Sequence, residues 1–271
     1  MGLGVVAKGS TMTVEKKLPF ASDYQQGAHP RILERLSAAN MEANPGYGTD
    51  AHSEHARELI RTACNAPQAE VHFLVGGTQA NAVAIDALLA PWQGVVAADS
   101  GHVSIHEAGA IEACGHKVIQ LPEKDGKLNA ADVDALATSW EQDENHDHMV
   151  MPGLVYISQP TEYGTLYSLD ELSALRAACD AHGMKLYVDG ARLAYALAAP
   201  RNNVQLSDLA RLADAFYIGG TKCGALLGEA MVFPKPSTCP HFFTLMKRRG
   251  ALLAKGMVTG IQFETLLDDG L

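Results

Sequence analysis

No two of the five cysteines in this sequence stand close enough to make a C-x-x-C pair, and their number is odd. Cys64, Cys114, Cys179, Cys223 and Cys239 are widely spread, which argues against a disulfide scaffold and fits a reducing, cytoplasmic setting. Long apolar runs are missing as well, since none reaches the ~18 residues that a membrane span needs. The opening Met1–Lys8 is too short and too weakly apolar for a secretory signal, and residues 1–12 read as a detached leader. Basic charge is scarce. Against 31 Asp and Glu stand 21 Lys and Arg, and the formal net charge of −10 argues against general affinity for nucleic acid or anionic membranes. There is no internal repeat and no G-x-x-x-x-G-K phosphate loop, and the glycines of Asn44–Asp50 lack the strand and helix context of a dinucleotide site.

What is present is an ordinary globular composition, 47% hydrophobic and 19% charged, over 271 residues. That length can bury a full core in one large domain or two small ones. Apolar runs over 71–75, 94–98, 117–121, 154–158, 185–188, 215–219 and 230–233 read as strands. Helical patterns fill most of the gaps, at 31–40, 52–65, 79–89, 129–139, 168–182 and 204–212, and from His241 to Leu267. Ser168 and Glu171 have the spacing of a capping box, and Gly183 suits a C-terminal cap. The run Glu141–His148 reads as a solvated loop, because a histidine pair inside a charge run is seldom a metal site; no metal is expected. Strands alternating with helices predict an α/β three-layer sandwich around a mostly parallel sheet, with ligands beyond the C-terminal ends of the strands.

The polar residues singled out fall at such ends. Ala215–Gly219 runs into Gly220, Thr221 and Lys222, which sets one amine at the mouth of a strand. Val71–Val75 runs into Gly76, Gly77 and Thr78 at the start of a helix, where free amide groups and the helix dipole favour an anion; a plain capped helix would look the same. His102 follows the 94–98 strand, and Asp189 with Arg192 follows the 185–188 strand. Alone, Asp189 reads as a turn residue, Arg192 as a surface ion-pair partner and His102 as a loop histidine. Together they match what pyridoxal 5'-phosphate requires of a protein. Lys222 would take the aldehyde as a Schiff base, Asp189 the ring nitrogen, Gly77 and Thr78 the phosphate, and His102 the ring face.

In order and spacing, Ser22-Asp23, Gly76-Gly77-Thr78-Gln79-Ala80-Asn81, Gly101-His102 with Glu107 and Gly109, Val188-Asp189-Gly190-Ala191-Arg192-Leu193 and Gly219-Gly220-Thr221-Lys222 resemble the low-specificity L-threonine aldolases. Those belong to the β-eliminating lyases of fold type I, whose large domain is aspartate-aminotransferase-like. The resemblance implies a pyridoxal-phosphate lyase that cleaves the Cα–Cβ bond of L-threonine or L-allo-threonine type substrates to glycine and an aldehyde. It assigns Lys222 and His102 to catalysis, with Gly77, Thr78, His102, Asp189, Thr221 and Lys222 at the cofactor. Ser22 and Arg192 would bind the substrate carboxylate. It further implies a homo-oligomer, dimer or tetramer, with sites near subunit boundaries and the Tyr47–Asp50 loop beside them. On this pattern residues 13–240 form the cofactor-binding domain, and 241–271 begin the helical connection to a small C-terminal domain that supplies a further arginine and is absent here. Two alternatives stay open: β-elimination from another amino acid, and a truncated, non-catalytic cofactor-binding chain.

Overall fold

The computed structural model describes residues 20–270; the leader expected over 1–12 lies outside them. Helices α1 (Pro30–Ala38) and α2 (Ala51–Ala63) precede strand β1 (Glu70–Leu74), helix α3 (Gly77–Leu88) and strand β2 (Gln93–Ala98). Two one-turn helices, α4 (His102–Ile105) and α5 (Ala110–Ala113), lead to β3 (Val118–Leu121), α6 (Ala130–Gln142) and β4 (Met151–Ser158). Then come α7 (Leu169–Ala181), β5 (Lys185–Asp189), α8 (Leu193–Ala198), α9 (Leu206–Leu212), β6 (Ala215–Gly219) and β7 (Glu229–Phe233). The described chain closes with α10 (Phe242–Arg248) and α11 (Met257–Asp268). No helix among the described residues is long and apolar enough to cross a membrane.

The seven strands form one sheet in the order β1-β7-β6-β5-β4-β2-β3. All neighbours pair in parallel except β7, which runs against both β1 and β6. Alternate residues of each strand face opposite helical layers. On one side Val155, Leu186, Val188, Phe216 and Val232 pack with α2, α6, α7, α8 and α9. On the other, Val95, Leu154, Tyr156, Tyr187, Tyr217 and Met231 pack with α3, α5 and α10. The three-layer α/β sandwich read from the sequence is therefore the fold. Local signals agree with it. Ser168 and Glu171 close a reciprocal capping box on α7, and Gly183 takes a positive φ of 65° behind it.

Three elements differ from the expectations. The helix expected from His241 to Leu267 is two helices, because Gly250 turns into the left-handed region at φ 68° and the chain crosses the Tyr47 loop, with Tyr47 N–H bonded to Ala254 O at 3.1 Å. Helix α8 has no counterpart in the sequence reading; six residues are too few for a 3.6-residue period to show. The polar run at Glu141 starts as the last turn of α6 and continues into an exposed turn at His146–His148. Helix α11 is tied to α1 and α2 by polar pairs, His52 Nδ1 to Glu264 at 2.7 Å and Arg35 to the same carboxylate at 3.3 Å.

Candidate active site

The C-terminal ends of β5 and β6 and the start of α3 converge on one cleft. Gly77, Thr78, His102, Asp189, Arg192, Thr221 and Lys222 all line it. Ser22 lines the adjoining cleft, which shares Thr221 and Lys222 with the first. Close approach of β5 to β6 depends on glycine. A Cβ at Gly190 would lie 1.9 Å from Tyr217 O, and one at Gly219 would lie 2.4 Å from Ala191 O.

Asp189 is 4% exposed and its carboxylate is held by four donors. Tyr156 Oη (2.7 Å) and Asn81 Nδ2 (2.9 Å) donate to Oδ2, while Tyr217 Oη (2.6 Å) and Ala191 N–H (3.0 Å) donate to Oδ1. The tyrosines arrive through strand register. Tyr156 sits opposite Tyr187 on β5, Ser158 sits opposite Asp189, and Tyr187 shares its face with Asp189 two residues on. Burial pushes the phenols of Tyr156, Tyr187 and Tyr217 well above their usual range, and the nearby Asp189 charge adds to it, so all three remain donors. Asn81 uses its whole amide. Its Nδ2 also donates to Glu107 Oε1 at 2.7 Å, and its Oδ1 accepts from Tyr187 Oη at 3.0 Å.

Glu107 extends this network to His102, whose Nδ1 lies 2.8 Å from Glu107 Oε1. The hydrogen bond to Glu107 raises the His102 pKa, burial opposes it, and the Glu107 and Asp189 charges add to the rise. With Nδ1–H donated to the carboxylate, Nε2 is the nitrogen left to accept a proton. Glu162 supports the same histidine from behind: its Oε1 accepts His102 N–H at 2.9 Å and the Ser158 hydroxyl at 2.7 Å.

Helix α3 starts without a side-chain cap at Gly76. Its first amide groups have no acceptor within the helix, and Gln79 turns back to accept Val75 N–H at 3.1 Å. A Cβ placed at Gly76 would meet no protein atom within 4 Å, so the space over this helix end is open. An uncapped helix N-terminus, a fixed carboxylate and a primary amine around one cleft fit the phosphate, ring nitrogen and aldehyde of the expected cofactor.

Arg192 and Ser22 do not meet. The Arg192 guanidinium forks onto Asp23, through Nε to Oδ2 and through Nη2 to Oδ1 at 3.1 Å. Ser22 Oγ accepts Tyr24 N–H at 3.3 Å. Burial would raise the Asp23 pKa, but the Arg192 hydrogen bond and charge outweigh it and hold the carboxyl below its usual value. Cys223, beside the lysine, is no rival nucleophile, because burial pushes its thiol up to about 11.

The sequence reading assigned no role to Asn81, Glu107, Tyr156, Tyr187, Tyr217, Asp23, Glu162 or Glu229. Three of these carried a usable signal, Glu229 as a carboxyl directly before the apolar 230–233 run. Asn81 follows Gly77 by one helical turn, which sets it on the face above the strand ends, and Tyr187 precedes Asp189 by the two-residue strand period.

The β-eliminating lyase family matches residues 19–259. A low-specificity L-threonine aldolase of a Pseudomonas species is 33% identical over 258 residues, covering 93% of this chain and 72% of that protein. The structure of Leishmania major threonine aldolase matches with a TM-score of 0.88 at 48% identity, over 92% of this chain and 72% of that one. Thermus thermophilus aspartate aminotransferase, 17% identical with a TM-score of 0.70, covers 91% of this chain and 63% of its own and shares the fold. The family match takes in every residue that lines the cleft, and the chain belongs to the β-eliminating lyase family.

Proposed function

We propose that this protein is a pyridoxal 5'-phosphate-dependent lyase that cleaves the Cα–Cβ bond of L-threonine or L-allo-threonine type β-hydroxy-α-amino acids, yielding glycine and an aldehyde. The observation that carries this reading is the Asp189 carboxylate, fixed by four donors on the wall of a cleft that Lys222 also lines. Bound cofactor supplies an electron sink for the pair left on Cα when the bond to Cβ breaks. Lys222 would supply the amine that holds the cofactor aldehyde, and Asp189 would supply the carboxylate for the ring nitrogen. Gly77 and Thr78 would offer α3 amide groups to the phosphate, and His102, which lines the same cleft, would supply a flat partner for the cofactor ring. Arg192 would take the substrate carboxylate in exchange for Asp23, and Ser22 would offer its hydroxyl from the adjoining cleft. His102 Nε2 receives the β-hydroxyl proton, steadied by Glu107 at Nδ1. Cα then takes up a proton, which leaves glycine.

The reading extends to a cytoplasmic homo-oligomer, supported by five free cysteines and by the exposed Tyr47 side chain of the loop expected beside a subunit boundary. Purified protein loaded with cofactor should release aldehyde from L-threonine, followed with an aldehyde-reducing coupling enzyme, and Lys222→Ala should abolish it. Release of ammonia in place of aldehyde overturns the assignment in favour of β-elimination. Light scattering reports the oligomer.

A further inference from the structure

Glu229 is the first residue of β7, lines the cleft, and is only 3% exposed. Because β7 runs against its neighbours, its first residue lies at the edge where β1 and β6 end, opposite Leu74 and Gly219. Both of its oxygens engage the two residues that precede Lys222. Oε2 accepts Gly220 N–H at 3.2 Å, and Oε1 lies 2.7 Å from Thr221 Oγ1. Gly228 adds to the clamp: its carbonyl accepts the Gly220 and Thr221 N–H groups at 2.9 and 3.2 Å, and its N–H reaches Thr221 Oγ1 at 3.1 Å. A buried carboxyl with both oxygens on the lysine-bearing turn does more than fill the core.

We propose that Glu229 is the positioning residue for Lys222: its carboxyl group fixes the Gly220–Thr221 turn that presents the amine to the cleft, and its proton sets the direction of the Glu229–Thr221 hydrogen bond and the charge beside the amine. This rests on the cofactor reading above and adds a residue that reading does not use. Burial pushes the Glu229 carboxyl up to about 8; the Thr221 hydroxyl and the Gly220 N–H oppose it, Asp189 reinforces it, and Lys222 opposes it. Tyr187, Tyr217 and Cys223 are the other titratable groups that feel its charge. Near neutral pH the protonated carboxyl donates to Thr221 Oγ1, and the Thr221 hydroxyl turns its own proton to the cleft. At higher pH the carboxylate accepts from Thr221 instead, and its negative charge favours a protonated nitrogen at Lys222.

Glutamine at this site keeps the neutral arrangement at every pH, because its Nε2 can donate to Thr221 Oγ1 while its Oε1 accepts Gly220 N–H. The test compares the parent, Glu229→Gln and Glu229→Leu, each loaded with pyridoxal 5'-phosphate, by cofactor titration and by visible absorbance against pH. Glu229→Gln should load within about twofold of the parent, with its absorbance transition shifted down by about one pH unit. Glu229→Leu should load at least tenfold more weakly, and circular dichroism of the apoprotein reports whether it folds. If it does not fold, the Glu229→Gln transition decides alone. An unshifted transition in Glu229→Gln, or parent-like loading in a folded Glu229→Leu, overturns the inference while leaving the cofactor reading intact. A parent that develops no cofactor absorbance overturns both.

Discussion

Asn81 is the residue whose replacement tests the site's polar network most directly. Its side-chain amide lies between two carboxylates, donating to Glu107 Oε1 at 2.7 Å and to Asp189 Oδ2 at 2.9 Å, and it is fully buried. Asn81→Asp keeps the shape and replaces the donor with a third acceptor. Both hydrogen bonds to charged groups are lost when the new carboxyl is ionised and one of them when it keeps a proton, each worth about 1.5–3 kcal/mol. Like charges ~3 Å apart would repel by about 5 kcal/mol at an effective dielectric near 20, so the new group keeps a proton until the pH is well above the ordinary carboxyl range. A proton held by the folded variant and released on unfolding makes stability fall as pH rises. Asn81→Leu loses both donated bonds and also the one its Oδ1 accepts from Tyr187 Oη, without adding a charge. We expect Asn81→Leu to lose at least ~3 kcal/mol and Asn81→Asp at least ~1.5 kcal/mol in urea denaturation of the apoprotein. The Asn81→Asp deficit should grow between pH 5 and pH 8, while that of Asn81→Leu stays level. Equal, pH-independent losses in the two variants, or losses below ~1 kcal/mol, would refute the picture of Asn81 as the bridge between two carboxylates.

Three further outcomes follow from the same geometry. Glu107→Gln removes the group chiefly responsible for raising the His102 pKa, so the acid limb of kcat/KM against pH should move to lower pH; an unmoved limb rejects His102 as the base. Asp23→Asn frees the Arg192 fork, and because both side chains are about one-third exposed the ion pair is worth at most ~1 kcal/mol; KM for L-threonine should fall by up to about fivefold, and a rise in KM rejects the exchange of carboxylates. Glu229 holds a proton in the folded protein up to about pH 8, whereas an unfolded glutamate releases it near 4.5, so the parent loses stability as pH rises between these values. Glu229→Gln lacks that loss and should be more stable than the parent by up to about 5 kcal/mol at pH 8.5, measured on apoprotein; parallel pH curves reject the raised pKa.

Most of the sandwich was legible because the parallel strands are buried on both faces. Runs such as Val95-Val96-Ala97-Ala98 or Leu154-Val155-Tyr156-Ile157 are continuously apolar and separated by amphipathic helices. What escaped was set by contacts distant in sequence. The break between α10 and α11 depends on the Tyr47 loop, far upstream in the chain, where a Cβ at Gly256 would lie 2.3 Å from Gly48 N. The length of α8 depends on the turn at Gly190, whose carbonyl accepts Leu193 N–H and Gly219 N–H at 2.9 Å.

The same distinction divides the candidate site. Gly77, His102, Asp189 and Lys222 were readable because each follows a strand or opens a helix, where local sequence already implies a strand end. Asn81, Tyr156 and Tyr217 reach Asp189 only after register has aligned three strands and a helix, and register is a relation between segments that no single segment displays. Glu229 is the sharpest case. At the beginning of a strand assumed parallel, it would belong to the edge of the sheet far from the ligand. Reversal of β7 carries it to the ligand edge, against the residues that precede Lys222. A charged residue opening a fully buried strand is itself a signal, because burying a carboxyl is costly unless something nearby uses its hydrogen-bonding capacity. Here that partner is the Gly220–Thr221 turn, and the cost of burying the carboxyl appears as its raised pKa.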